Sequence, residues 1–401
     1  MGAVPLERLA ARPPARPVRI RTITAGVGLR SATELQRVDA AITVLERVAR
    51  ALTDDGYEVQ TLRVATPPFI ARADARARDA ALPVLRALDE HVAGRDVLIA
   101  IGPVLTADRA EPGLAAWAAE LASSTRNLSF TVSVASPDRG AAPQAARAAA
   151  EAMHAIAAGT AGGLGNFRFA AAASVPAGTP FFPVAYHDGP DTLALGLESA
   201  SLVEEAFTGA TSSAEAGERL RERLDETVAP IERTALGLAR REGRVYLGVD
   251  PSPAPGKDRS IGAGIEALTR VPFGSASTLE ACAAVTAALK SLRARTCGYA
   301  GLMLPVLEDR VLAQRATEGR YGIPDLLLYS SVCGTGLDVV PIPGDTPVEV
   351  MTRIVLDVAA LAARLRKPLS ARLFPIPGLA AGQTARFDDP YLTDCAVMAV
   401  S

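Results

Sequence analysis

From residue 18 almost to the C-terminus, short β-branched and aromatic runs alternate with longer, alanine-rich stretches of helical periodicity. Of everything in the chain, this alternation most narrows the possible folds, because it calls for parallel strands covered by helices. Strands are predicted at 18–24, 57–64, 96–102, 128–135, 167–173, 193–197, 244–250, 299–304, 371–375 and 395–400. Helices are predicted near 34–52, 78–91, 144–158, 214–241, 278–292 and 347–365. The expected class is α/β, either a closed barrel or a doubly wound sheet, with ligands at the carboxyl ends of the strands. No Ser/Gly-rich linker interrupts residues 18–401, which are read as one large domain. Residues 1–17, rich in Arg, Pro and Ala, are read as a loose arm.

Composition excludes several classes. With 401 residues, 49% hydrophobic and 21% charged, the chain is long and apolar enough to bury a large core. A net charge of −2 leaves no generic basic face for nucleic acid. Four cysteines (Cys282, Cys297, Cys333, Cys395) are too few for a disulfide scaffold and are not spaced as a zinc clip. No apolar h-region follows the N-terminal arginines, and no uncharged run reaches membrane-spanning length, so a cytoplasmic, reduced protein is expected.

Chemistry concentrates in residues 330–347, which hold Cys333, Asp338 and Asp345 among three glycines and three prolines. Glycines permit close backbone approach and prolines restrict direction, so the stretch reads as one wall of an active site. Of three histidines, His91 and His154 sit in helices and read as structural. His187 closes Phe181-Phe182-Pro183-Val184-Ala185-Tyr186 at a strand end and is the candidate proton carrier. Asp250 ends a predicted strand, and Lys257 lies in the Pro/Gly loop beyond it. Phe273-Gly274-Ser275 precedes Ser277-Thr278-Leu279-Glu280, a capping box whose Ser275 and Ser277 would cradle an anion. Thr346-Pro347-Val348-Glu349 is a second box. The acids Glu198, Glu308, Asp309 and Asp345 are candidate oxygen ligands for a divalent cation. No Walker loop, Gly-x-Ser-x-Gly elbow or His-Glu-x-x-His is present, and Gly26-Val27-Gly28 lacks the third glycine of a dinucleotide fingerprint.

Taken together, Ile20-Arg21-Thr22-Ile23-Thr24-Ala25-Gly26, Phe181 to His187, Gly196-Leu197-Glu198, Phe273-Gly274-Ser275, Cys333 to Thr346 and Phe374 to Gly378 resemble the family called domain of unknown function 711. The resemblance implies a ten-stranded α/β barrel similar to the pyruvate formate-lyase-like fold, with helices outside. It implies no reaction. The Arg-Val-x-Gly glycyl-radical motif is absent, and Leu379 stands where such chains commonly carry lysine after Pro-x-Pro-Gly.

The expectation from these readings is an enzyme acting on a small anionic metabolite by acid/base chemistry, of lyase or isomerase/aldol type, with no cofactor identified and a divalent cation as a candidate. His187 moves the proton, Asp338 or Asp250 assists it, and Cys333 contacts the reacting centre. Arg21, Lys257, Ser275 and Arg372 hold negative charge. A non-catalytic metabolite-binding protein is the alternative, and a thiol- or radical-dependent enzyme the third. A barrel of this size also suggests a homo-oligomer.

Overall fold

The computed structural model describes residues 16–256 and 258–400, so Lys257 and most of the expected arm lie outside the described residues. The described residues form twelve strands: β1 (Arg19–Gly26), β2 (Leu62–Ala65), β3 (Val97–Leu105), β4 (Leu128–Ser136), β5 (Gly140–Ala141), β6 (Phe169–Ala173), β7 (Thr192–Glu198), β8 (Val245–Ala254), β9 (Gly336–Pro343), β10 (Leu369–Ile376), β11 (Thr384–Ala385) and β12 (Cys395–Ala396). Ten of them form one sheet, in the order β8-β7-β1-β2-β3-β4-β6-β10-β9, with β5 paired to β4. From β1 to β6 the neighbours on this path are parallel. The direction reverses where β1 meets β7 and where β6 meets β10, and β7/β8 and β9/β10 are again parallel pairs. Every residue of β6, β7, β9 and β10 is buried, as expected of strands covered on both faces.

Among the described residues, eleven α-helices accompany the sheet: α1 (Leu35–Asp54), α2 (Ala75–Val92), α3 (Leu114–Ser124), α4 (Pro143–Gly159), α5 (Ala200–Phe207), α6 (Ser213–Arg241), α7 (Ile261–Thr269), α8 (Thr278–Lys290), α9 (Arg310–Thr317), α10 (Ile323–Ser330) and α11 (Val348–Leu365). In α1, Val38, Ile42, Leu45, Val48 and Leu52 recur at three- and four-residue spacing and are buried, which is why it lies flat on the sheet. Neither expected capping box forms. Ser277 takes a left-handed φ of 76° with its hydroxyl unused, and Pro347 occupies the cap position of α11.

Between Thr296 and Pro305 the chain links the two outer strands. Thr296 bridges Val249 of β8 and Pro305 bridges Asp338 of β9, both in parallel sense. In a flat sheet, the eight spacings of about 4.8 Å along this order would hold β8 and β9 roughly 38 Å apart. Nine residue steps reach at most about 32 Å when fully extended, so the sheet must curl. Inside the curl sits a small apolar cluster of Ala170 and Ala172 from β6, Ala254 from β8, and Phe181, Tyr299 and Met303. The main core lies outside, under the helices. No ladder joins β8 directly to β9 among the described residues. Both outer strands carry prolines, Pro251 and Pro253 in β8, Pro341 and Pro343 in β9, which remove ladder donors.

Residues 299–304, expected as a strand, form none; the two isolated bridges flank them at Thr296 and Pro305. Residues 395–400 contribute a two-residue strand outside the main sheet. The largest correction concerns residues 330–347, where no strand is expected: their middle is the fully buried strand β9. Likewise Asp250 lies within β8, not at its end.

The curl is pinned by a few contacts. Asp250, fully buried, accepts hydrogen bonds from the Ser252 amide and hydroxyl (3.1 and 2.6 Å) and from the amides of Tyr299 and Ala300 (2.8 and 3.1 Å). Gly301 donates to Ser252 Oγ at 3.1 Å, and a Cβ on it would lie 2.5 Å from Gly334 Cα. Gly301→Ala should therefore lower unfolding free energy by about 1–3 kcal/mol. Gly237→Ala, on α6 with nothing within 4 Å of the added Cβ, should be neutral or stabilising by about 0.5–1 kcal/mol. Denaturant titration separates the two, and equal midpoints would refute a tight seam.

Burial pushes the Asp250 carboxyl up to about 6, although its hydrogen bonds oppose the shift. A folded pKa above the unfolded value gives stability that is complete below the unfolded pKa and lost as pH rises through 6. Relative to Asp250→Asn, the wild type should lose on the order of 1 kcal/mol between pH 5 and 7. Paired melts across that range measure the drift, and a flat difference would contradict the assignment.

Candidate functional site

Alternation along β1 puts Arg19 and Arg21 on one face, and the antiparallel register sets Glu198 opposite Arg19. Arg19 Nη1 donates to Glu198 Oε1 at 2.7 Å, while Arg21 Nη1 stands 3.7 Å from Glu198 Oε2. Gln60 Nε2 completes that carboxylate at 2.6 Å, and Gln60 Oε1 accepts from Arg21 at 3.2 Å. Arg21 also donates to Glu308 Oε2 at 3.3 Å. The other Glu308 oxygen accepts from Arg372 Nη2 at 2.8 Å, and Arg372 Nε donates to Asp338 Oδ1 at 2.8 Å. A chain of alternating charges thus runs from β9 and β10 across to β1 and β7.

Glu308 is aimed by its neighbour. Asp309, wholly buried, accepts from Ser260 Oγ (2.5 Å), from the Ile261 amide at the start of α7 (2.6 Å) and from the Val311 and Leu312 amides of α9 (3.0 and 3.1 Å). One carboxylate therefore serves the first turns of two helices. It is a structural anchor rather than a free oxygen ligand.

These groups border a cavity of about 450 Å³ lined by Arg21, Arg63, Phe167, Phe182, Asp338 and Arg372 among others. A second hollow of about 610 Å³ shares Arg21, Gln60, Glu308 and Tyr391 with it. Because the sheet reverses direction, the first cavity lies at the beginnings of β2, β3, β4 and β6 and at the far end of β8. The expectation of carboxyl ends alone is corrected to a mixture. Tyr391 covers Arg21, its ring centroid 5.2 Å from the guanidinium carbon.

Arg63 is the anomaly of this wall. It is 6% exposed, yet among the described residues its guanidinium's only hydrogen bond is from Nη1 to the Pro180 carbonyl at 3.3 Å, and its buried Nε has no partner. It forms no ion pair among the described residues. Burial, with the Arg21 charge adding to it, pulls its pKa down to about 9, so it stays a cation at neutral pH. Arg63 lies 5.2 Å over the Phe182 ring, Phe182 and Phe167 are 6.1 Å apart, and Arg372 lies 5.0 Å over Phe167. Asp338, 6% exposed, is bonded only through Oδ1. Burial pushes its carboxyl above the usual range; Arg372 opposes this and the nearby Glu308 carboxylate adds to it.

Of the three residues expected to act together, Asp338 lines this cavity, and His187 and Cys333 do not. His187 is 1% exposed, donates Nε2–H to the Gly189 carbonyl at 2.9 Å, and packs against Gly26 at the opposite end of β1. Burial holds its pKa below the ordinary histidine value. Cys333 is fully buried in the outer core, its carbonyl accepting from Lys367 Nζ at 2.6 Å. Ser275 and Ser277 precede α8 and line neither hollow, and Asp345 is exposed in the turn after β9. Arg21, Arg372, Asp338, Glu308 and Glu198 do assemble, through ion pairs. Among the described residues, no three His, Cys, Asp or Glu side chains form a metal-holding group. Arg63, Gln60, Phe167 and Tyr391 were missed. The available signal was Thr61-Leu62-Arg63-Val64-Ala65, an arginine inside a strand run, as Arg21 and Arg372 also are.

Comparison with known proteins gives relatives along most of the chain. A UPF0210 protein of Pyrobaculum islandicum is 33% identical over 378 residues, covering 87% of this chain and 79% of the relative. One from Desulforudis audaxviator is 28% identical over 401 residues, covering 92% and 88%. Another, from Oenococcus oeni, is 26% identical over 402 residues, again covering 92% and 88%. No helix among the described residues is long and apolar enough to cross a membrane. The family model described as Uncharacterised ACR (DUF711) matches residues 15–388, and the chain belongs to that family.

Proposed function

We propose that this protein is an enzyme that binds a small anionic metabolite in the 450 Å³ cavity and moves a proton on it with Asp338. The observation that carries the reading is Arg63, a buried guanidinium with no counter-ion among the described residues, on the same wall as a carboxyl whose pKa burial has raised. An unpaired buried charge is costly, so an anion from solution is the natural complement. A carboxyl raised above its ordinary range is suited to exchange a proton near neutrality. Proton transfer of this kind opens lyase, isomerase and aldol-type reactions, and Arg63 would hold the charge that develops.

The architecture we propose is a closed barrel of the pyruvate formate-lyase-like type, with residues 296–305 filling the gap between β8 and β9. Supporting it are the two parallel bridges and the reach of Gly301 to both Ser252 and Gly334. Closure would keep water from the cavity and strengthen its electrostatics.

The test begins with metabolites that copurify with or stabilise the wild type, analysed by mass spectrometry before and after incubation. Asp338→Asn keeps an oxygen for Arg372, so it should retain ligand while turnover falls roughly 10²–10⁴-fold. With the folded pKa raised, the wild-type rate should climb with pH through a value above the usual aspartate range. A wild type that holds its ligand indefinitely unchanged would make this a binding protein instead. Full turnover in Asp338→Asn would remove Asp338 from the chemistry.

A further inference from the structure

Resting on that reading of the cavity, we infer that its ligand is a single-carboxylate acid with an apolar body, the carboxylate on Arg63 and the body against Phe182, Phe167, Leu98 and Met303. Phosphate esters and dicarboxylates do not fit this description.

Charge decides the first part. The wall holds five arginines, Arg21, Arg63, Arg126, Arg168 and Arg372, against four carboxylates, Asp96, Glu308, Asp338 and Asp389. With every one of these groups ionised, one positive charge is left over, which one monoanion neutralises. The accessible donors tell the same story. Arg21 and Arg372 are committed to Glu308, Glu198 and Asp338. Arg168 spends its donors on the carbonyls of Ala122, Thr125 and Leu128 and on the Thr125 hydroxyl. Arg63 is the buried arginine of this wall whose donors are mostly unfilled: Nε has no partner, and only Nη1 meets an acceptor among the described residues. Arg126, the fifth, forms no side-chain ion pair among the described residues, but it is exposed and already solvated. A dianion would need a second buried free cation beside Arg63, and the buried part of the wall supplies none among the described residues. A planar carboxylate matches one guanidinium edge.

Shape decides the second. Phe182 lies beneath the Arg63 guanidinium, and Phe167 continues that surface to Arg372. A ligand whose carboxylate meets Arg63 therefore runs along two aromatic faces, with Met303 and Leu98 bordering the same space. Polar substituents there would lose water without gaining partners.

Isothermal titration of the full chain with benzoate, butyrate, succinate and inorganic phosphate tests this, using wild type and Arg63→Met. Benzoate or butyrate should bind the wild type at least about tenfold more tightly than succinate or phosphate, and Arg63→Met should weaken that binding by about tenfold or more. Ligand-free Arg63→Met should melt no lower than wild type, because it removes an unpaired buried charge; this separates lost binding from lost folding. Succinate or phosphate binding more tightly, yet still lost in Arg63→Met, would overturn the single-carboxylate assignment and leave the anion-binding reading intact. Binding unaffected by Arg63→Met, or neither monocarboxylate binding at about 10 mM, would overturn the inference outright.

Discussion

The run of alternating charges from Asp338 through Arg372, Glu308, Arg21 and Glu198 to Arg19 holds the inner side of this molecule together. Each inner member is shared between two partners, so none can leave without stranding another. Buried pairs of this kind add little net stability compared with apolar packing, but losing one partner leaves an uncompensated charge in a dry place. The run is also a gauge of shape. Its two ends lie on strands far apart in the sheet order, and only a curled sheet lets them meet.

That constraint explains why Arg63 stands out. Nearly every other buried ionisable group around the cavity has a partner, down to Asp309, whose oxygens take up amides from two helices. Arg63 is the buried guanidinium of this wall left with most of its donors unmet among the described residues, which is why the proposed anion is assigned to it. The aromatic pair beneath it supplies orientation rather than neutralisation.

The alternation of strand and helix patterns was enough to reach the α/β class, and most long helices lay close to their expected positions. What it could not reveal was β9. Gly334, Gly336, Pro341 and Pro343 resemble a loop because proline and glycine punctuate loops far more often than strands. Here proline marks the outer strand, where a ladder donor is not needed, and glycine marks the seam against Gly301. The same confusion shortened β8 at Asp250. Among site residues, Arg21, Arg372 and Asp338 were legible as polar groups in apolar runs. His187 was read from chemistry alone; its burial behind Gly26 is a tertiary fact with no local signature. Arg63 was equally visible, yet a lone arginine in a strand commonly snorkels to solvent, and only coordinates reveal that this one does not.

The ion-pair run also fixes an order of events. Arg21 meets its carboxylates only in Glu198 and Glu308, the latter 287 positions downstream. A ribosome delivers Arg19, Arg21 and Arg63 long before Glu198, Glu308 or Asp338 emerges. The nascent amino-terminal strands must therefore wait, wet and positively charged, for acids made later in translation. Contacts of such long sequence separation slow the search for the native state. The interior of this protein can become dry only as its last portion arrives.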